Sequence, residues 1–262
     1  MPEEIKFRPD ALPLNRRHLF ATGLSAVIGS MVWPSYLVGR EALITPLWAR
    51  ILRASIAVAN DDSLDSRVAT EARHILQTVR QTHYQHHTYI DPATGTYDCD
   101  CSEFVGYILE QIAPANYALI PKEEHQLRPR AFRYYEYFHS LPDDALGWHP
   151  IRKITSVRPG DIIAWRVPDI EKDEDTGHVM IVAAKPEPRG PGLVTVRVYD
   201  SSVLPHVDDT RGDNKGDYRS GVGEGGIVFR VDSDGRPIAS QFRPPDHFHE
   251  DPIAIGRIYP LA

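Results

Sequence analysis

The sequence predicts an α+β fold in which N-terminal helices pack on an antiparallel β-sheet. Between residues 64 and 112 the apolar residues recur at helical spacing, whereas from 161 onward they alternate with a period of two, as half-buried strands do. The strands follow one another through short, turn-rich links, so they pair as neighbours rather than through crossover helices. With 42% hydrophobic and 25% charged residues among 262, the chain can bury one sizeable core.

The first segment stands apart from that core. NRRHLF (15–20) leads into LFATGLSAVIGSMVWPSYLVG (19–39), which contains no Asp, Glu, Lys or Arg. Paired arginines before an apolar run resemble a twin-arginine export signal, and the uncharged stretch is also just long enough for a membrane anchor. A buried core helix is the competing reading, weakened by Pro34 and several small or polar interruptions. The nearest small-x-small pair is AVA at 57–59, so residues 1–59 are expected to be an export signal or tether with linker, and 60–262 a single domain. The expected location is periplasmic or otherwise outside the cytoplasm.

Within the domain, Leu64, Val68, Ala72, Ile75, Leu76 and Val79 form one face of a helix opened by Asp and Ser capping residues. The turn-rich DPATGT (91–96) follows, and then Phe104, Val105, Ile108, Leu109 and Ile112 define a second helix after Cys101. AFRYYEYFHSL (131–141) reads as a third, with core aromatics. Strands are expected at 161–167, 178–184, 193–200, 225–232 and 253–259. The polar stretch 201–224 exceeds ordinary connections, and loops of that length are functional or mobile.

Charge and cysteine count exclude some functions. A net charge of -7 lacks the basic surface that a phosphate backbone requires, which argues against nucleic acid as partner. The only two cysteines, Cys99 and Cys101, sit one residue apart, too strained for a structural disulfide and too few for a structural zinc site. HYQHH (83–87), with His247 and His249, has no convincing metal-ligand spacing, so no metal is expected.

The two thiols are unequal. Asp100 and Glu103 form a D-x-x-E pair before an apolar helical run, the signature of a capping box, which places the helix start at Cys101. There the helix dipole and free N–H groups favour a thiolate and can hold an oxyanion, whereas Cys99 lies before the cap without that field. A nucleophilic thiol also needs a base and a group that orients the base.

DCSEFV (100–105), RPGDIIAW (158–165), GHVMIVA (177–183) and VYDSS (198–202) resemble, in order, the nucleophile motif, the Pro-Gly-Asp turn, the histidine strand and the third-residue strand of the NlpC/P60 cysteine peptidases. The resemblance covers roughly 64–202. It implies a papain-like core and hydrolysis of an amide bond in peptidoglycan stem peptides, with Cys101 as nucleophile, His178 as general base and Asp200 orienting the imidazole. It places Tyr97 near the nucleophile, where a hydroxyl could reach substrate or oxyanion, and requires no metal or organic cofactor. Strand alternation agrees: if the two strands pair around EPRGPG (187–192), His178 and Asp200 fall at the same end of neighbours.

Ser102 is expected to support the helix start or the oxyanion. On the long loop, His206, Asp209 and Arg211 are expected either to contact substrate or to back up the triad. This chain departs from the family in carrying Glu103 where a glycine is usual, which opposes ionisation of the thiol, and Asp200 where a histidine is commoner. Two alternatives stay open: an amidase or acyltransferase on a non-wall substrate, and an inactive wall-binding module with Glu103 and the long loop blocking the cleft.

Overall fold

The structure is a computed structural model that describes residues 63–169, 175–212 and 219–261. The expected export signal or anchor, its apolar run at 19–39 and the boundary at 59 lie outside the described residues. Among the described residues no helix is long and apolar enough to cross a membrane.

Helix α1 (Leu64–Thr78) buries Val68, Ala69, Ala72 and Ile75, the face its spacing predicts. A small sheet follows: β1 (Gln81–His83), β2 (Tyr89–Asp91) and β3 (Thr96–Asp98), with β3 central, β1 parallel to it and β2 antiparallel. The sequence marks only 91–96 here, as turn-rich, because three-residue strands are too short to show alternation. Helix α2 (Cys101–Ile112) starts at the predicted residue and packs Phe104, Val105, Ile108 and Leu109 into the core. The short α3 (Pro114–Tyr117) has proline in its first turn, and α4 (Ala131–Ser140) buries Phe132, Tyr134 and Phe138.

The large sheet adds β4 (Trp148–Pro150), β5 (Ile162–Arg166), β6 (Gly177–Val182), β7 (Glu187–Gly190), β8 (Leu193–Ser202), β9 (Gly221–Val231), β10 (Pro237–Gln241) and β11 (Ile253–Ile258). Its order is β10-β9-β8-β6-β5-β11-β4, with β7 paired to β8, and every pairing is antiparallel. The fold is therefore mixed α+β, built around a large antiparallel sheet. The expected link between the histidine and aspartate strands differs in detail: EPRG is itself β7, paired to Thr195–Leu193, while β6 meets β8 further along at Tyr199 and Val198.

Period-two alternation gives the sheet two apolar faces. Ile162, Ala164, Val179, Ile181 and Tyr199 pack with the helices, whereas Ile163, Trp165, Met180, Val182, Val196 and Val198 form a second core. A turn clamps the helical layer to the sheet. Gly160 (φ +90°) approaches α1 so closely that a Cβ would lie 1.7 Å from the Asp65 carbonyl oxygen, so no other residue fits. Buried Asp161 accepts from the Arg158 N–H at 2.9 Å and from Arg257 on β11 at 2.7 and 2.8 Å, while the Arg158 side chain pairs with Asp65. The RPGD motif is thus a three-way joint between α1, β5 and β11.

Candidate active site

Asp100 is an extended N-cap whose Oδ1 accepts from the Glu103 N–H and the Ser102 hydroxyl, both at 2.9 Å. The return half of the expected capping box is not made, because Arg128 takes the Glu103 carboxylate. Glu103 lines neither half of the cleft described below, so it does not block it. Ser102 therefore supports the helix start, and its partner Asp100 also faces His86 Nδ1 at 3.3 Å.

Cys101 sits at this helix start with 4% exposure, facing the backbone N–H of Val179, the residue after His178. The thiolate favoured by the helix field is opposed by its surroundings. Burial pushes the thiol well up, Asp100, Asp200 and Asp175 add to that, and only the Val179 N–H opposes them. Cys99 is wholly buried and also pushed up, chiefly by burial, and its carbonyl accepts from Ser201 Oγ at 2.7 Å.

His178 is the second residue of β6, directly after Gly177, whose φ of +126° and 2.0 Å approach to the Trp165 carbonyl oxygen exclude a side chain. Its Nε2 lies 2.6 Å from Asp200 Oδ2, and its ring leans on Trp165 at 5.3 Å. Asp200 is fully buried; burial alone would raise its carboxyl, but His206, Arg211 and His178 outweigh that and hold it well below the usual carboxylate range. Being ionised, it accepts, so Nε2 carries the proton and Nδ1 is left as the basic atom. The hydrogen bonds of the described residues include none between the Cys101 thiol and the His178 ring; the two groups flank the first residues of β6 from opposite sides of the sheet.

His206 does not reach the cleft. It is buried behind Asp200, with Nε2 2.7 Å from the same Oδ2. Arg211 stands 3.1 Å from Oδ1 and is itself held by Asp209 and the Gly221 carbonyl. Of the two expectations for these loop residues, backing the carboxylate is the one their positions fit. Tyr97 lies in the helical core at 3% exposure, edge-on to Tyr107 and pushed up to about 12 by burial, away from the cleft.

The residue that occupies the place expected of Tyr97 is Tyr84, hidden in the sequence among the histidines of HYQHH. Two cavities adjoin. One, of ≈ 250 Å³, is lined by Cys101, Ser102, His86, Asp100 and Arg130, and the other, of ≈ 200 Å³, by His178, Trp165, Phe242, His249 and Asp251. They share Tyr84, Asp175, Gly177 and Val203, so they form two halves of one cleft. Trp165 carries no signal beyond strand hydrophobicity, and Phe242 lies outside the expected strands.

His178, Asp200 and His206 are also a potential metal set, with ligand atoms all within 4.8 Å of one another. The fit is poor: both Nε2 atoms already hydrogen-bond one oxygen, and a guanidinium occupies the other side of the carboxylate, where it repels a cation. HYQHH divides its partners, His83 meeting Asp98 and His86 meeting Asp100. The chain matches no protein-family model, no curated protein and no solved structure.

Proposed function

We propose that the protein is a cysteine hydrolase with a papain-like core of NlpC/P60 type that cleaves an amide bond, with peptidoglycan stem peptides as its substrate class. The observation that carries this reading is the buried 2.6 Å His178–Asp200 pair at the start of β6, beside a capped helix start whose thiol meets the next backbone N–H of that strand. A surface histidine has no need of a buried, ionised carboxylate; a general base does.

In the reaction, the Cys101 thiol passes its proton to His178 Nδ1 by way of a water in the shared part of the cleft, since the two groups are not directly bonded, as sulfur bonds to the amide carbonyl carbon. The developing oxyanion meets the N–H groups of Cys101 and Ser102 in the first turn of α2, since the Glu103 N–H is taken by Asp100. His178 then gives the proton to the leaving amine, the C–N bond breaks, and water hydrolyses the thioester. The acyl part occupies the Cys101 half of the cleft and the leaving amine the His178 half, walled by Trp165 and Phe242. Burial of the thiol opposes a preformed thiolate, which favours proton transfer and attack in one step.

An exported or tethered location suits a wall substrate and rests on the sequence of residues 15–39. The test is incubation of the protein with muropeptides followed by mass spectrometry, alongside labelling with iodoacetamide. Cys101→Ala should abolish both cleavage and labelling, while Cys99→Ala should largely spare them; the reverse pattern would refute the assignment. Unchanged muropeptides together with a labelled Cys101 would move the substrate outside the wall.

A further inference from the structure

We infer that His206 is a positioning residue, the second imidazole on Asp200, which together with Arg211 sets how much of that carboxylate's charge reaches His178. This rests on the proposed catalytic pair and deepens it. Asp200 Oδ2 takes both Nε2 atoms, at 2.6 Å from His178 and 2.7 Å from His206, and Oδ1 faces Arg211 at 3.1 Å. A carboxylate shared in this way is oriented from behind and gives each donor less than its full charge.

The chain is shaped to deliver these groups. After β8 the segment 203–212 folds back over β9, with the Val207 N–H and C=O both bonded to Gly226 and the Thr210 N–H to the Glu224 carbonyl. It can lie there because β9 reads GVGEGG (221–226). A Cβ on Gly225 would come 2.5 Å from His206 Cβ, and one on Gly223 2.5 Å from Arg211 Nε. Asp209 locks the segment: its carboxylate accepts from the His206 N–H at 2.8 Å and from Arg211 Nε and Nη2 at 2.8 and 2.9 Å. Phe242 lies against both imidazoles, 5.9 Å from His178 and 5.3 Å from His206, and separates His206 from the cleft. Tethering of the segment does not need the His206 ring, which leaves that ring's bond to Asp200 as its distinct contribution.

Removing the ring's N–H returns more of the carboxylate charge to His178, with Arg211 still in place, which favours the imidazolium and moves the acid limb of the reaction to higher pH. The titratable and charged groups around the pair are Asp209 and Arg211 behind it, Cys101 and Asp100 at the start of α2, Tyr84 and Asp175 in the shared part of the cleft, and His249 and Asp251 in its far half. His206→Phe and His206→Gln separate the effects, because the Gln amide can donate to Oδ2 without titrating.

The full chain carrying Cys99→Ala is labelled with iodoacetamide across pH 5 to 10, and turnover is measured on the same samples. Expected are a shifted labelling profile and about tenfold lower kcat with unchanged KM in His206→Phe, and recovery toward the parent profile in His206→Gln. An unmoved profile in folded His206→Phe, equal loss in both variants, or stoichiometric zinc binding that disappears in both would overturn the inference. Failure of the hydrolase reading looks different: turnover would survive Cys101→Ala, while the labelling profile would still report the coupling.

Discussion

Asp200 is the residue on which the site depends most. It is buried, ionised, hydrogen-bonded by two imidazoles and paired with a guanidinium, so its replacement removes a charge that several groups are arranged around. Asp200→Asn should lower kcat by about 10⁴-fold, because the amide imposes the wrong tautomer on His178. It should also change stability with pH. The carboxyl is depressed in the folded state, so its contribution is fully present above the unfolded value of about 3.9 and is lost as pH falls through the folded one. Urea midpoints between pH 6 and 2 should therefore fall less steeply for the variant than for the parent. The helix start at Cys101 and the nearness of His178 to Asp200 are legible in the capping pattern and the strand alternation. Tyr84, Phe242 and the cleft's two halves are not, since they come together only through tertiary contact. The opposition to a thiolate at Cys101 is legible only in part: Asp100 is its sequence neighbour, but burial and the charges of Asp200 and Asp175 come from other elements.

At the scale of elements, the start of α2 carries two opposed influences from one side chain. Asp100 caps the helix through Oδ1, and its charge raises the nearby thiol. Asp100→Asn keeps a carbonyl oxygen for the cap and removes the charge, so iodoacetamide should label Cys101 faster at neutral pH with little change in stability. Asp100→Ala should instead cost about 1 kcal/mol in denaturant unfolding. Most long strands and the helices α1, α2 and α4 follow the periodicity closely, because each has one face against a core. The short strands β1 to β4, β7 and β10 do not, being held by pairing with neighbours rather than by their own pattern. The glycine run in β9 carried a signal that periodicity alone misses: small residues at close spacing in a strand mark where another segment must lie.

At the scale of the molecule, the joint at Asp161 links the helical layer to the sheet. Arg257→Met leaves the Asp161 carboxylate buried without its main cation and should destabilise the fold by about 3–5 kcal/mol, read as a lowered urea midpoint; a change under about 1 kcal/mol would show that the joint is not structural. The same arginine sits on β11, and β11 lies between β5 and β4 although it is the last of the described strands. That order has a consequence for biosynthesis. A nascent chain that already carries Cys101, His178 and Asp200 still presents β5 as an unpaired edge, and Asp161 as an unanswered charge, until residues 253–258 have been made. The edge of β5 and the charge of Asp161 are thereby answered only by a strand made long after both of them.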